Sequence, residues 1–122
     1  MLSLYLHFPF CKRKCFYCDF CSAPAGEDEI AAYCGALKKE IALASETYGN
    51  PDVDTVFLGG GTPSAVPAAL MGPVLRTLSE RFHIIKGAEY TAEANPGALT
   101  GAWLDTLAGA GANRLSLGVQ AI

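Results

Sequence analysis

An excess of basic residues is missing from these 122 residues: 9 lysines and arginines stand against 12 aspartates and glutamates, a formal charge of −3. A surface that tracks phosphates carries the opposite balance, which argues against nucleic acid as a partner. Charge of either sign is scarce, at 17% of residues, against about 25% in an average domain. Combined with 51% hydrophobic residues, that scarcity excludes an intrinsically disordered segment. Long apolar runs are lacking too, and none reaches the ~18–20 residues of a transmembrane segment. The first ten residues are largely apolar, but no basic stretch precedes them and no small-residue cleavage site follows. They read as a strand and not as an export signal.

Cysteine, by contrast, is crowded. Cys11, Cys15, Cys18 and Cys21, four of the five in the chain, fall within eleven residues. Without an export signal, such crowding points to metal binding over disulfides, and to the reducing cytoplasm.

Four short runs have strand character: 2–8, 53–58, 89–94 and 114–118. Between them lie three stretches of helical periodicity. In the first, Ile30, Tyr33, Cys34, Leu37, Ile41 and Ala44 recur at spacings of three and four, behind an acidic start at Glu27, Asp28 and Glu29. Cys34 on that stripe is a small core residue. The second places Met71, Val74, Leu75, Leu78 and Phe82 on one face; Gly72-Pro73 predicts a kink or a fresh start, with Pro73 in the first turn. His83 then stands where it would meet the helix dipole. The third follows Thr100 as N-cap, buries Trp103, Leu104 and Leu107, and ends at Gly109 and Gly111. The predicted order is β-α-β-α-β-α-β, an α/β fold whose parallel strands are joined by helical crossovers.

The distinctive residues collect where the strands end. The first strand runs into Pro9-Phe10-Cys11 and the second into Gly59-Gly60-Gly61-Thr62-Pro63. The third runs into Glu93-Ala94-Asn95-Pro96 and the fourth into Gly118-Val119-Gln120. Ligands of parallel α/β sheets and barrels lie beyond the carboxyl ends of the strands. Ile122 follows Gln120 with no helix to cover the fourth strand, whereas a full barrel takes about 250 residues. The expectation is an incomplete (β/α) barrel with about four strands and three helices.

Cys11, Cys15 and Cys18 have the spacing C-x3-C-x2-C. Three thiolates on one loop satisfy three irons of a [4Fe–4S] cube and leave the fourth open. A zinc-stabilised structural module, with Cys21 or His7 as fourth ligand, is the alternative, although the spacing is unlike paired C-x2-C knuckles. Lys12, Arg13 and Lys14 between the cysteines read as a solvated basic loop. The glycine run lets backbone approach a ligand closely, or is simply a turn; it lacks the Gly-Lys-Ser/Thr of a nucleotide-phosphate loop. Glu93 is placed to accept hydrogen bonds from a ribose or an ammonium group, or is a surface carboxylate. Gln120 carries the same two readings.

Taken together, Tyr5-Leu6-His7-Phe8-Pro9-Phe10-Cys11, Cys15-Phe16-Tyr17-Cys18-Asp19-Phe20, Gly59-Gly60-Gly61-Thr62-Pro63-Ser64, Glu93-Ala94-Asn95-Pro96 and Asn113-Arg114-Leu115-Ser116-Leu117-Gly118-Val119-Gln120 resemble, in order, a radical S-adenosylmethionine (SAM) protein. Within that superfamily the chain is similar to the oxygen-independent coproporphyrinogen III oxidase family. The resemblance implies that residues 1–122 are the N-terminal part of a radical SAM core domain, without the rest of the barrel or a C-terminal domain. It implies that Cys11, Cys15 and Cys18 hold the cluster and that SAM chelates the open iron. Tyr5 and Tyr17 then lie near the cluster and SAM, Gly60, Gly61 and Thr62 line the SAM pocket, Glu93 supplies a polar contact, and Gln120 meets SAM or a second copy of it. One electron from the reduced cluster would cleave the sulfonium C–S bond, and the deoxyadenosyl radical would abstract hydrogen.

One departure separates subfamilies. The decarboxylating oxidases carry a further cysteine two residues after the third ligand; here that position is Phe20, and Cys21 comes one place late. The Cys-Asp-Phe pattern resembles the HemW branch, whose members look like heme chaperones. The implied partners are heme or porphyrin, an electron donor and a heme-acceptor protein. The alternative within the family is oxygen-independent coproporphyrinogen III dehydrogenase, an enzyme of heme biosynthesis.

Overall fold

In the computed structural model, which describes residues 1–10, 26–49, 51–95 and 99–117, four parallel strands alternate with three helices. The strands are β1 (Leu2–Phe8), β2 (Asp52–Gly60), β3 (His83–Ala94) and β4 (Arg114–Leu117); the helices are α1 (Glu27–Tyr48), α2 (Ala68–Arg81) and α3 (Gly101–Ala110). Spatial order follows chain order, β1-β2-β3-β4, and every pairing is parallel. Crossovers of constant hand between successive neighbours put every helix on the same side. Accordingly α1 packs on α2 and α2 on α3. This is the α/β architecture of a partial barrel, with one face of the sheet covered and the other left as the lumen.

Period two decides which side chains meet the helices. Leu6 and Phe8 of β1, Val53, Val56 and Leu58 of β2, and Tyr90, Ala92 and Ala94 of β3 are buried against the helical layer. Ile30, Cys34, Leu37 and Ile41 of α1, Met71, Val74, Leu75 and Leu78 of α2, and Trp103 and Leu107 of α3 close that core from the other side. Alternate residues Tyr5, His7, Thr55, Phe57, Gly59, Thr91 and Glu93 are left for the open face.

Four local expectations change. Helix α2 begins at Ala68, after Pro67, so Pro73 lies inside it and not in its first turn. A proline there removes one N–H from the helical ladder, but apolar packing through Met71, Val74, Leu75 and Leu78 carries the helix across it. Leu104 is 40% exposed, because the buried pair Trp103 and Leu107 one turn apart defines a stripe that position 104 misses. β3 starts six residues early: His83 and Ile84 pair with Asp52 and Val53, and the ladder resumes at Thr55–Glu89. The extra residues form a bulge in which Gly87 has φ of 86°. Lys86-Gly87 breaks the apolar pattern there, and only pairing with β2 recruits the segment. His83 accordingly meets Asp52 Oδ1 at 2.6 Å and does not serve as a helix-end partner.

Other signals hold as expected. The Thr100 hydroxyl accepts the N–H of Trp103 at 3.1 Å, and Gly111, with φ of 104°, ends α3. Asn113 ties β4 to the bulge: its side chain accepts from Tyr90 N–H at 3.0 Å and donates to Ala88 C=O at 2.8 Å. Among the described residues no helix is long and apolar enough to cross a membrane.

Candidate functional site

The carboxyl ends of β1, β2 and β3 bring three separated sequence segments together. Register places Tyr5 beside Phe57 and His7 beside Gly59. Tyr5 stacks on Phe57 with ring centroids 5.8 Å apart and an interplanar angle of 11°. That stack holds the Tyr5 hydroxyl over the end of β2, 3.4 Å from His7 Nδ1. A β-carbon at Gly59 would lie 2.8 Å from Tyr5 Oη, 2.8 Å from Phe57 Cε1 and 2.5 Å from Glu93 Oε1. The phenol and the carboxylate therefore converge above a backbone position that has room for them because it lacks a β-carbon.

The next glycine works differently. Gly60 has φ of 115°, and a β-carbon there would strike the Phe8 backbone, 2.6 Å from its oxygen. Gly61 N–H donates to Phe8 C=O at 2.9 Å. These two glycines let the loop leaving β2 close onto the end of β1. Thr62 follows, half-buried, and Pro63–Ala65 makes a single 3-10 turn. Ser64, buried, accepts Asn95 N–H at 3.1 Å and so fastens the glycine loop to the loop that follows Glu93.

Of the expected site residues, Tyr5, Gly60, Gly61, Thr62 and Glu93 thus share one rim. Cys11, Cys15, Tyr17, Cys18 and Gln120 lie outside the described residues, as do Phe20 and Cys21. Gly59 and Ser64 stand within the sequence motifs but have no site role of their own in the sequence reading. Gly59 had a signal in it, since it falls in step with Phe57 at period two; Ser64 had none, because its partner is 31 residues away.

Helix α1 also reaches this rim. The Tyr33 hydroxyl donates to His7 C=O, and its ring meets Phe10 edge-on, centroids 5.1 Å apart at 89°. Burial first, then the charges of Glu40, Cys34 and Tyr5, push the Tyr33 pKa above its ordinary value, so the phenol stays a donor.

An open parallel-barrel face with a phenol, a carboxylate and glycines at the strand ends defines a class: residues 5–122 match the radical SAM superfamily, and the chain belongs to it. More particularly, it is 38% identical to the oxygen-independent coproporphyrinogen III oxidase of Bradyrhizobium diazoefficiens, over 97% of this chain and 27% of that protein. It is also 38% identical to the heme chaperone HemW of Bacillus subtilis, over 98% of this chain and 32% of that protein. The solved structure of coproporphyrinogen III oxidase (HemN) from Escherichia coli, a radical SAM enzyme, superposes with a TM-score of 0.87 at 33% identity, covering 97% of this chain and 27% of that one. The chain spans about 27–32% of the length of these relatives.

Membership implies SAM and a [4Fe–4S] cluster as cofactors. The donors fit that pair. A carboxylate and a phenol above a position without a β-carbon suit an ammonium and hydroxyl groups. Three closely spaced thiols suit iron.

Proposed function

We propose that the chain is the N-terminal part of the core domain of a HemW-like heme chaperone, in which Cys11, Cys15 and Cys18 hold a [4Fe–4S] cluster and the rim of β1–β3 holds SAM. The observation that carries the SAM site is the convergence of Tyr5 and Glu93 above Gly59. The chaperone branch is supported by Phe20 standing where the decarboxylating oxidases carry cysteine; overall identity is the same, 38%, to a HemW protein and to an oxidase.

When bound, SAM and the reduced cluster supply one-electron cleavage of a sulfonium bond and hydrogen abstraction by the resulting radical. The chain's own residues bind and orient. Glu93 accepts hydrogen bonds from the ligand's ammonium or ribose hydroxyls. Tyr5, held by Phe57, presents its hydroxyl to the same ligand, and the family resemblance assigns Tyr17, between Cys15 and Cys18, to the cofactor site as well. Gly60, Gly61 and Thr62 form the wall of the pocket next to Phe8, and the family resemblance assigns Gln120 a further polar contact with SAM. The partners are heme or porphyrin, an electron donor and a heme-acceptor protein. The crowded cysteines support a reducing, cytoplasmic setting.

A second reading, oxygen-independent coproporphyrinogen III dehydrogenase, is favoured by the likeness to HemN and to the Bradyrhizobium oxidase. Anaerobically reconstituted full-length protein separates the two. Iron and sulfide in cluster stoichiometry, a paramagnetic signal that changes on adding SAM, stable heme binding and no turnover of coproporphyrinogen are expected. Robust conversion to protoporphyrinogen would replace the chaperone with the enzyme. Zinc in place of iron would overturn both.

A further inference from the structure

We infer that Tyr33 is a positioning residue for the cluster loop, clamping together the two ends of the cysteine-bearing segment. The inference rests on the proposed cluster site and goes beyond it to a residue of α1 outside every cysteine and glycine motif.

The clamp follows from strand geometry. Among the described residues β1 lies at the edge of the sheet and pairs with β2. Successive carbonyls of a strand point to opposite sides. Phe8 C=O faces β2, since it accepts Gly61 N–H, so His7 C=O faces the outer edge. A strand edge leaves such groups without a ladder partner. Tyr33, nearly two turns into α1, covers this one with its hydroxyl while its ring holds the buried Phe10 edge-on.

Phe10 is the residue before Cys11, and α1 begins at Glu27, soon after Cys21. Tyr33 therefore joins the strand entering the cysteine segment to the helix leaving it. Closing a loop costs entropy that depends on how its ends are held. With the ends fixed by the fold, three thiolates converge on one cluster at a smaller entropic cost, and leave it less readily. A hydroxyl spent only on satisfying an edge carbonyl would have no such reach.

The test uses full-length protein, reconstituted without oxygen, and follows iron release to a chelator well below the unfolding temperature. Tyr33→Phe removes one oxygen and keeps the ring; Tyr33→Leu removes both contacts. Release should quicken roughly fivefold to tenfold in Tyr33→Phe, the scale of one net hydrogen bond, and further in Tyr33→Leu. The SAM-induced change in the cluster's paramagnetic signal should broaden in both. Tyr48→Phe, an exposed tyrosine at the far end of the same helix, serves as control and should release iron at the parental rate. Normal cluster retention in the parent with unchanged release and signal in a folded Tyr33→Phe overturns this inference alone. A parent that takes up no cluster overturns the proposed site and the clamp with it.

Discussion

The Tyr5 hydroxyl and the Glu93 carboxylate meet over Gly59, at 2.8 Å and 2.5 Å from where a β-carbon would stand. Both distances are shorter than a β-carbon tolerates, so a methyl group there must displace both side chains. Gly59→Ala is expected to weaken SAM binding at least about tenfold, or roughly 1.4 kcal/mol, while cluster content stays at the parental level. Equilibrium binding of SAM to reconstituted protein, with iron assayed in parallel, checks both halves. Parental affinity in this variant would mean that the ligand lies elsewhere on the rim.

The cysteine set makes a prediction of its own. Cys15→Ala should abolish stable cluster assembly, because three-point ligation is lost. Cys21→Ala should retain it, since Cys21 falls outside the C-x3-C-x2-C spacing. Iron and sulfide analysis with the visible absorbance distinguishes the outcomes; loss in both variants would make Cys21 a ligand.

Tyr90 ties stability to pH. Its side chain is 1% exposed, its hydroxyl has no partner among the described residues, and burial pushes its pKa above the ordinary 10.0. Above pH 10.0 the unfolded chain loses this proton before the folded one does. Stability from this group is thus intact below that point and falls as pH rises toward the folded value, by up to about 1.4 kcal/mol per pH unit. Tyr90→Phe should flatten that alkaline decline. At neutral pH it should be neutral or stabilising by about 1 kcal/mol, since a buried unpaired hydroxyl is removed. Urea titrations of both proteins across alkaline pH read the difference directly.

Asn113 holds the bulge of β3 through two side-chain bonds to the backbone, to Tyr90 N–H and Ala88 C=O. Asn113→Ala leaves a strand donor and acceptor without that partner and should cost about 2 kcal/mol. Asn113→Asp keeps the acceptor but faces Ala88 C=O with another oxygen, and should not restore stability. Denaturant midpoints at constant m-value check this.

Much of the molecule follows from residue order alone. The succession of four strands and three helices, the apolar stripe from Ile30 to Ile41 and the Thr100 cap are local features, set by periods of two and 3.6 and by side chains within a turn of the backbone they satisfy. The cysteine spacing is equally one-dimensional, and family membership travels with it. Tertiary structure decided what depends on neighbours remote in the chain. Pairing with β2 drew 83–88 into β3, helix packing carried α2 through Pro73, and the stripe of α3 turned Leu104 outward. Register against β1 and β3 divided the glycine run into a floor at Gly59 and a hinge against Phe8 at Gly60, because room for a β-carbon is set by the strands alongside.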